Sequence, residues 1–196
     1  MLDILKDKTL YSKLILAAIP LTAVCTTAFS SLLSAFAMVL TVVLSALCVN
    51  LLKGFLNPKT AKFAHIIIAV GIVGIFTAVV NIFAKDTISD IGFYLPLLAV
   101  TATLLADSDF ALDSNLTTTV AGGAVTSGAS GSFLLVCGII RELLGMGSFF
   151  GVDLYTKWFS PLDFFKTPAG GLLTAAVLTV VYNLIVIKTG KKEVAE

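Results

Sequence analysis

Long apolar runs dominate this chain, and no water-soluble packing could bury them all. A helix needs about 20 largely apolar residues to cross the hydrocarbon layer of a bilayer. Such runs extend roughly from Ser12 to Phe29, Leu33 to Leu52, Phe63 to Phe83, Ile91 to Ala106, Thr118 to Ile140 and Gly171 to Ile187. The fourth is short for a full crossing, and a serine-rich turn is expected between the first two. Of the 196 residues, 58% are hydrophobic and 13% charged, against about 25% charged in average soluble domains. Mean hydropathy is +1.03. The expectation is an all-α integral membrane protein, one transmembrane domain over residues 1–196 with six transmembrane helices and no soluble domain. The stretch "KLILAAIPLTAVC" partly resembles a lipoprotein signal, but Val24 stands where such a signal needs a small residue. It reads as a retained first span.

Lysine placement sets the expected orientation. With the N-terminus in the cytoplasm, Lys6, Lys8, Lys13, Lys53, Lys59, Lys62, Lys188, Lys191 and Lys192 lie inside, and only Lys85, Lys157 and Lys166 lie outside. Both termini are therefore expected in the cytoplasm, with the protein multi-pass in a bacterial-type cytoplasmic membrane. The loop "ADSDFALDSN" is inside without a base, but acidic residues weigh little in this rule. A net charge of +1 and the lack of a basic stripe point away from nucleic acid.

Two phrases match: "AIPLTAVCTT" from Ala18 and "YLPLLAVTAT" from Tyr94. The first span starts inside and the fourth outside, so similar units enter from opposite faces. This is the pattern of an inverted 3+3 repeat, with halves about 10–84 and 88–188 and with interrupted first and fourth helices. Pro20 and Pro96 would each disrupt the preceding turn. Thr22, Thr26, Thr27, Thr101 and Thr103 would offer hydroxyls at the midplane. The alternative is a chance recurrence, since prolines are common in membrane helices.

Gly122, Gly123, Gly128 and Gly131 in the fifth span would let another helix approach closely. Arg141 and Glu142 fall at the outer end of that span and read as charged anchors at the membrane edge. His65, the sole histidine, reads as an interfacial side chain. Cys25, Cys48 and Cys137 sit in apolar runs and read as small hydrophobes rather than as a disulfide framework. No catalytic set and no metal-ligand spacing is visible.

The phrase "GIIRELLGMGSFFG" resembles the signature of the small six-helix membrane subunits of the Rnf and Nqr complexes. "IPLTAV", "VVLSALCVNLLKGF" and "IGFYLPLLAV" are similar to the same family, and the resemblance runs from about Leu10 to Ile187. It implies a membrane subunit of an ion-translocating electron-transport complex, paired with a related six-helix subunit as a homo- or heterodimer and associated with flavoprotein subunits. It also implies an iron–sulfur cluster between paired subunits, held by one cysteine per half. This chain departs there: Ile19 stands at the first position, and Thr101, Ala102 and Thr103 span the second. Thiolates are the usual cluster ligands, so no cofactor is expected in this chain. Cys25, near the right depth but displaced, is the one cysteine left to consider as a cofactor ligand. Two other functions stay open: a small ion or solute transporter or channel on the same inverted-repeat fold, and a structural assembly partner.

Overall fold

The computed structural model describes residues 17–23, 25–83, 96–105, 115–150, 152–153 and 162–193. Residues 17–22 are helical and lead into a break before α1 (Ala28–Leu51). Then follow α2 (Pro58–Phe83), α3 (Leu97–Leu105) and α4 (Leu116–Met146). A hairpin of β1 (Ser148–Phe149) and β2 (Val152–Asp153) comes next, then a 3-10 helix (Asp163–Lys166) and α5 (Pro168–Glu193). Among the described residues three helical segments are long and apolar enough to cross a membrane: Ala28–Leu51, Thr60–Ile82 and Leu116–Met146. Large apolar side chains such as Phe36, Phe63, Ile67, Ile75 and Ile82 lie exposed, as lipid-facing residues must.

The serine-rich stretch does not turn between spans; it starts α1. Thr27 is the N-cap, and its hydroxyl accepts from the Ser30 amide while the Ser30 hydroxyl accepts from the Thr27 amide, both at 3.1 Å. Such a reciprocal capping box satisfies two orphan donors at once. Ser31 donates to Thr27 O at 2.8 Å. The serines are used locally, so the helix can begin here inside an apolar run.

α1 and α4 form the central pair and run antiparallel. As α1 advances from Ser31 through Ala35 to Val42, its neighbours on α4 recede from Gly138 through Gly131 to Gly123. Asn50 near the end of α1 donates to Thr119 near the start of α4 at 3.3 Å. A β-carbon on Gly138 would collide with the Ser31 side chain, and one on Gly131 would come within 3.2 Å of Ala35. Small residues here permit the close approach that membrane helices need in place of a hydrophobic driving force.

Gly128 departs from the expected packing role. Nothing lies within 4 Å of a β-carbon built there, and the residue is exposed. The buried stripe of α4 runs through Ser127, Ser130, Gly131, Leu134, Cys137 and Gly138, and Gly128 points off it. Gly123 meets Val42 and Val43 at ordinary contact distance, and Gly122 is half-buried.

The packing predicts a contrast between two glycines on one helix. Gly138→Ala should cost about 1–3 kcal/mol through overpacking, whereas Gly128→Ala should be neutral or slightly stabilising. Thermal unfolding in detergent reads both, and equal melting temperatures would contradict this register.

Candidate functional site at a broken membrane helix

A helix that stops within an apolar run leaves carbonyls at its end and amides at the start of the next segment without partners. In lipid each unsatisfied group costs several kcal/mol. The break, seen at residue 23 and at residues 25–27, therefore demands donors on one side and an acceptor on the other. α4 supplies both from adjacent residues.

Arg141 is only 1% exposed and commits its whole guanidinium to backbone oxygens. Nη1 donates to Thr22 O and, at 2.8 Å, to Cys25 O. Nε donates to Phe165 O at 3.0 Å, and Nη2 to Thr167 O at 2.9 Å and Lys166 O at 3.4 Å. A guanidinium has five N–H donors in a rigid fork, and here they meet five carbonyls. Glu142, also 1% exposed, accepts from the Ala28 amide at 2.6 Å through Oε2 and from the Ser148 hydroxyl at 3.2 Å through Oε1. Each charge meets the matching end of a helix dipole: the cation at the C-terminal carbonyls, the anion at the N-terminal amide.

Local structure holds the pair in place. α4 continues past the expected end of the fifth span, so Arg141 and Glu142 lie within the helix rather than at an exposed edge, and both face the interior. The correction has a physical cause: the demand of the broken backbone outweighs the pull of the interface. Gly147 ends α4 with φ 69°, a left-handed cap that favours glycine. The turn brings Ser148 back to Glu142. Leu162 N donates to Leu144 O at 3.0 Å, which returns the chain to α4 just before the 3-10 helix that presents Phe165 and Lys166 to Arg141. Within that exposed turn the Lys166 ammonium, 2.7 Å from Asp163, holds the Asp163 carboxyl below its ordinary value. A β-carbon on Gly171 would collide with Thr22 O and lie 2.7 Å from Arg141 Nη1. Only glycine lets α5 reach the break.

The remaining expected site residues fall as follows. Pro20 lies inside the helical stretch 17–22, and the chain leaves the helix three residues later. Proline removes its own donor and crowds the turn before it, but not the turn after it, so it does not set the break point. Pro96 stands immediately before α3, with Ala99 N donating to Pro96 O at 3.1 Å. Thr22 and Thr101 are fully buried, and each hydroxyl proton is used within its own helix, on Ile19 O and Leu98 O. Thr26 and Thr27 are half-buried at the break, Thr27 as the cap, and Thr103 continues α3.

Cys25 is buried in the break, with its thiol 3.3 Å from Ser34 Oγ and 3.9 Å from Ser30 O. Cys137 lies buried one turn before Arg141 on α4, and Cys25 O accepts from the Arg141 guanidinium. No local pattern signals that these two thiols, more than a hundred positions apart, share a site. Among the described residues no group of three or more histidine, cysteine or acidic side chains could hold a metal ion. The half-buried Ile19 and the self-bonded Thr101 offer no thiolate, so those positions do not fit an iron–sulfur cluster.

These features define a helical integral membrane protein built around a broken helix whose ends are held by one buried Arg–Glu pair. The chain belongs to the Rnf-Nqr family, described as "Rnf-Nqr subunit, membrane protein", whose model matches residues 2–185. It is 26% identical over 172 residues to the E-type subunit of the Na(+)-translocating ferredoxin:NAD(+) oxidoreductase complex of Acetobacterium woodii, covering 87% of each chain. The proton-translocating counterpart from Clostridium ljungdahlii is 27% identical over 137 residues, 69% of this chain and 64% of that protein. The D-type subunit of the Na(+)-translocating NADH-quinone reductase of Shewanella woodyi is 22% identical, with 82% of this chain and 80% of that one covered.

Removing one side of the clasp should leave buried backbone groups unpaired. Arg141→Met should cost about 3–5 kcal/mol, and Arg141→Lys should not restore it, because an ammonium cannot reproduce the planar fork. Glu142→Gln keeps an acceptor for Ala28 and should cost no more than about 2 kcal/mol, the scale of a partly buried charge at a helix end. Melting temperature in detergent and maleimide labelling of Cys25, buried in the wild type, check the order. Equal loss in Glu142→Gln and Arg141→Met would contradict it.

Proposed function

We propose that this chain is a membrane subunit of an ion-translocating electron-transport complex of the Rnf/Nqr type. The observation that carries the reading is the family match over nearly the whole chain. The Arg–Glu clasp adds to it, because it falls on "IRELLG", the most specific phrase of the resemblance. The relatives' names describe subunits of proton- or sodium-translocating oxidoreductases, so the natural setting is a larger membrane complex that includes flavoprotein subunits.

Within that setting the chain is a six-helix inverted 3+3 repeat with both termini in the cytoplasm, seated in a bacterial-type cytoplasmic membrane. Two observations support the repeat: the paired proline phrases and a first helix interrupted inside an apolar run. The lysine distribution supports the orientation. The chain pairs with a related six-helix subunit, and the open, small-residue side of α4 at Gly128 leaves room for a neighbouring helix. It contributes scaffold and part of the ion path, and no cluster ligands of its own, because neither Ile19 nor Thr101 carries a thiol.

Affinity purification of the tagged chain from its native membrane tests the reading. Flavoprotein and further membrane subunits should come with it in fixed ratio, and a chain that consistently purifies alone would refute the proposal. The cluster-free role has its own check: the anaerobically purified chain should contain no stoichiometric iron and show no visible absorption. Iron that is lost on Cys25→Ala would overturn that part alone.

A further inference from the structure

The inward face of α2 carries Ala61, His65, Ala69 and Val73, spaced four residues apart and all buried. This helix packs against α1 and α3. His65 is only 2% exposed, yet among the described residues neither ring nitrogen has a hydrogen-bond partner. A neutral imidazole presents one N–H and one lone pair, and leaving a buried polar group unmade costs about 1–3 kcal/mol. A membrane protein that needed only bulk here would carry leucine or phenylalanine.

We propose that His65 is a hydrated protonation site inside the membrane part of the protein, with water on its ring nitrogens and the ring able to take up and release a proton. A histidine held permanently as imidazolium would need a carboxylate, and α1, α2 and α3 contain none. The other titratable groups on these elements are Cys48 on α1 and Lys59 and Lys62 at the start of α2; α3 has none. Lys62 is exposed, away from the buried face. The connection over residues 52–57 folds α2 back along α1, which brings the second turn of α2 beside the last turns of α1. Ser45 and Asn50 are buried on those turns, with the Ser45 hydroxyl on Val42 O and the Asn50 amide on Thr119. Among the described residues the ring therefore has no counter-charge on the helices packed against it.

This site stands apart from membership of a translocating complex. A chain whose histidine titrates but which never copurifies with redox subunits would fail the earlier proposal and leave this one intact. His65 is the only histidine, so nitrogen-15 histidine labelling of the full chain in lipid nanodiscs reports on it alone. As the pH falls from about 8 to about 4, across and below the usual range of histidine switching, the acceptor-nitrogen resonance should give way to two N–H signals. The ring protons should also show cross-peaks to water. A single neutral tautomer across the range would overturn the proposal, and so would titration without any water contact. His65→Phe supplies a second reading. It should leave the melting temperature unchanged or higher, since replacing an unpaired polar ring by an apolar one of similar shape is neutral or stabilising. A clear fall would mean that the ring nitrogens have protein partners and would also overturn it.

Discussion

A helix that ends within lipid needs hydrogen bonds from outside itself, and the adjacent residues Arg141 and Glu142 meet that need. The guanidinium satisfies carbonyls on both sides of the break and at the start of α5, while the carboxylate satisfies the first amide of α1. Two neighbouring residues on a helix point about 100° apart, so one position can serve the C-terminal side of the interruption and the next the N-terminal side. Without them the continuous helix would be the cheaper structure, because all its backbone groups pair internally.

The rest of the architecture follows from bringing that pair to the break. α1 must lie close against α4, and Gly131 and Gly138 allow it. α5 must approach from the other direction, and Gly171 allows that. The hairpin and 3-10 helix after α4 then close over the site, with Ser148 on the carboxylate and Phe165 O, Lys166 O and Thr167 O on the guanidinium. Burying this ion carries a desolvation cost that its hydrogen bonds offset, and an apolar side chain in its place would leave the carbonyls unpaired. What it provides is a unique geometry: an interrupted helix held in one register, with two thiols and buried hydroxyls gathered beside it.

That geometry bears on the family relationship. The strongest phrase of the resemblance encodes the clasp itself, and the broken helix is present although Ile19 and Thr101 carry no thiol.

The membrane class, the long helices and the family were legible in the sequence, because apolar length and a specific short phrase are local properties. The C-terminal end of α2 and the existence of α4 followed from runs of apolar residues between polar punctuation, whereas α2 begins at Pro58, inside the polar phrase. Other features could not be read locally. The break fell after Pro20 because its position depends on where Arg141 and Glu142 can reach. Gly128 looked like its packed neighbours in the sequence, but helical phase turned it outward. Arg141 and Glu142 looked like edge anchors, and His65 like an interfacial ring, because one-dimensional reading measures depth from the ends of a span. Burial of a polar group depends instead on which helix faces it. Hydropathy alone determined that this chain lives in lipid; only the packing of α1, α4 and α5 decided where its backbone opens, since an unpaired carbonyl is satisfied by a donor distant in sequence and near in space.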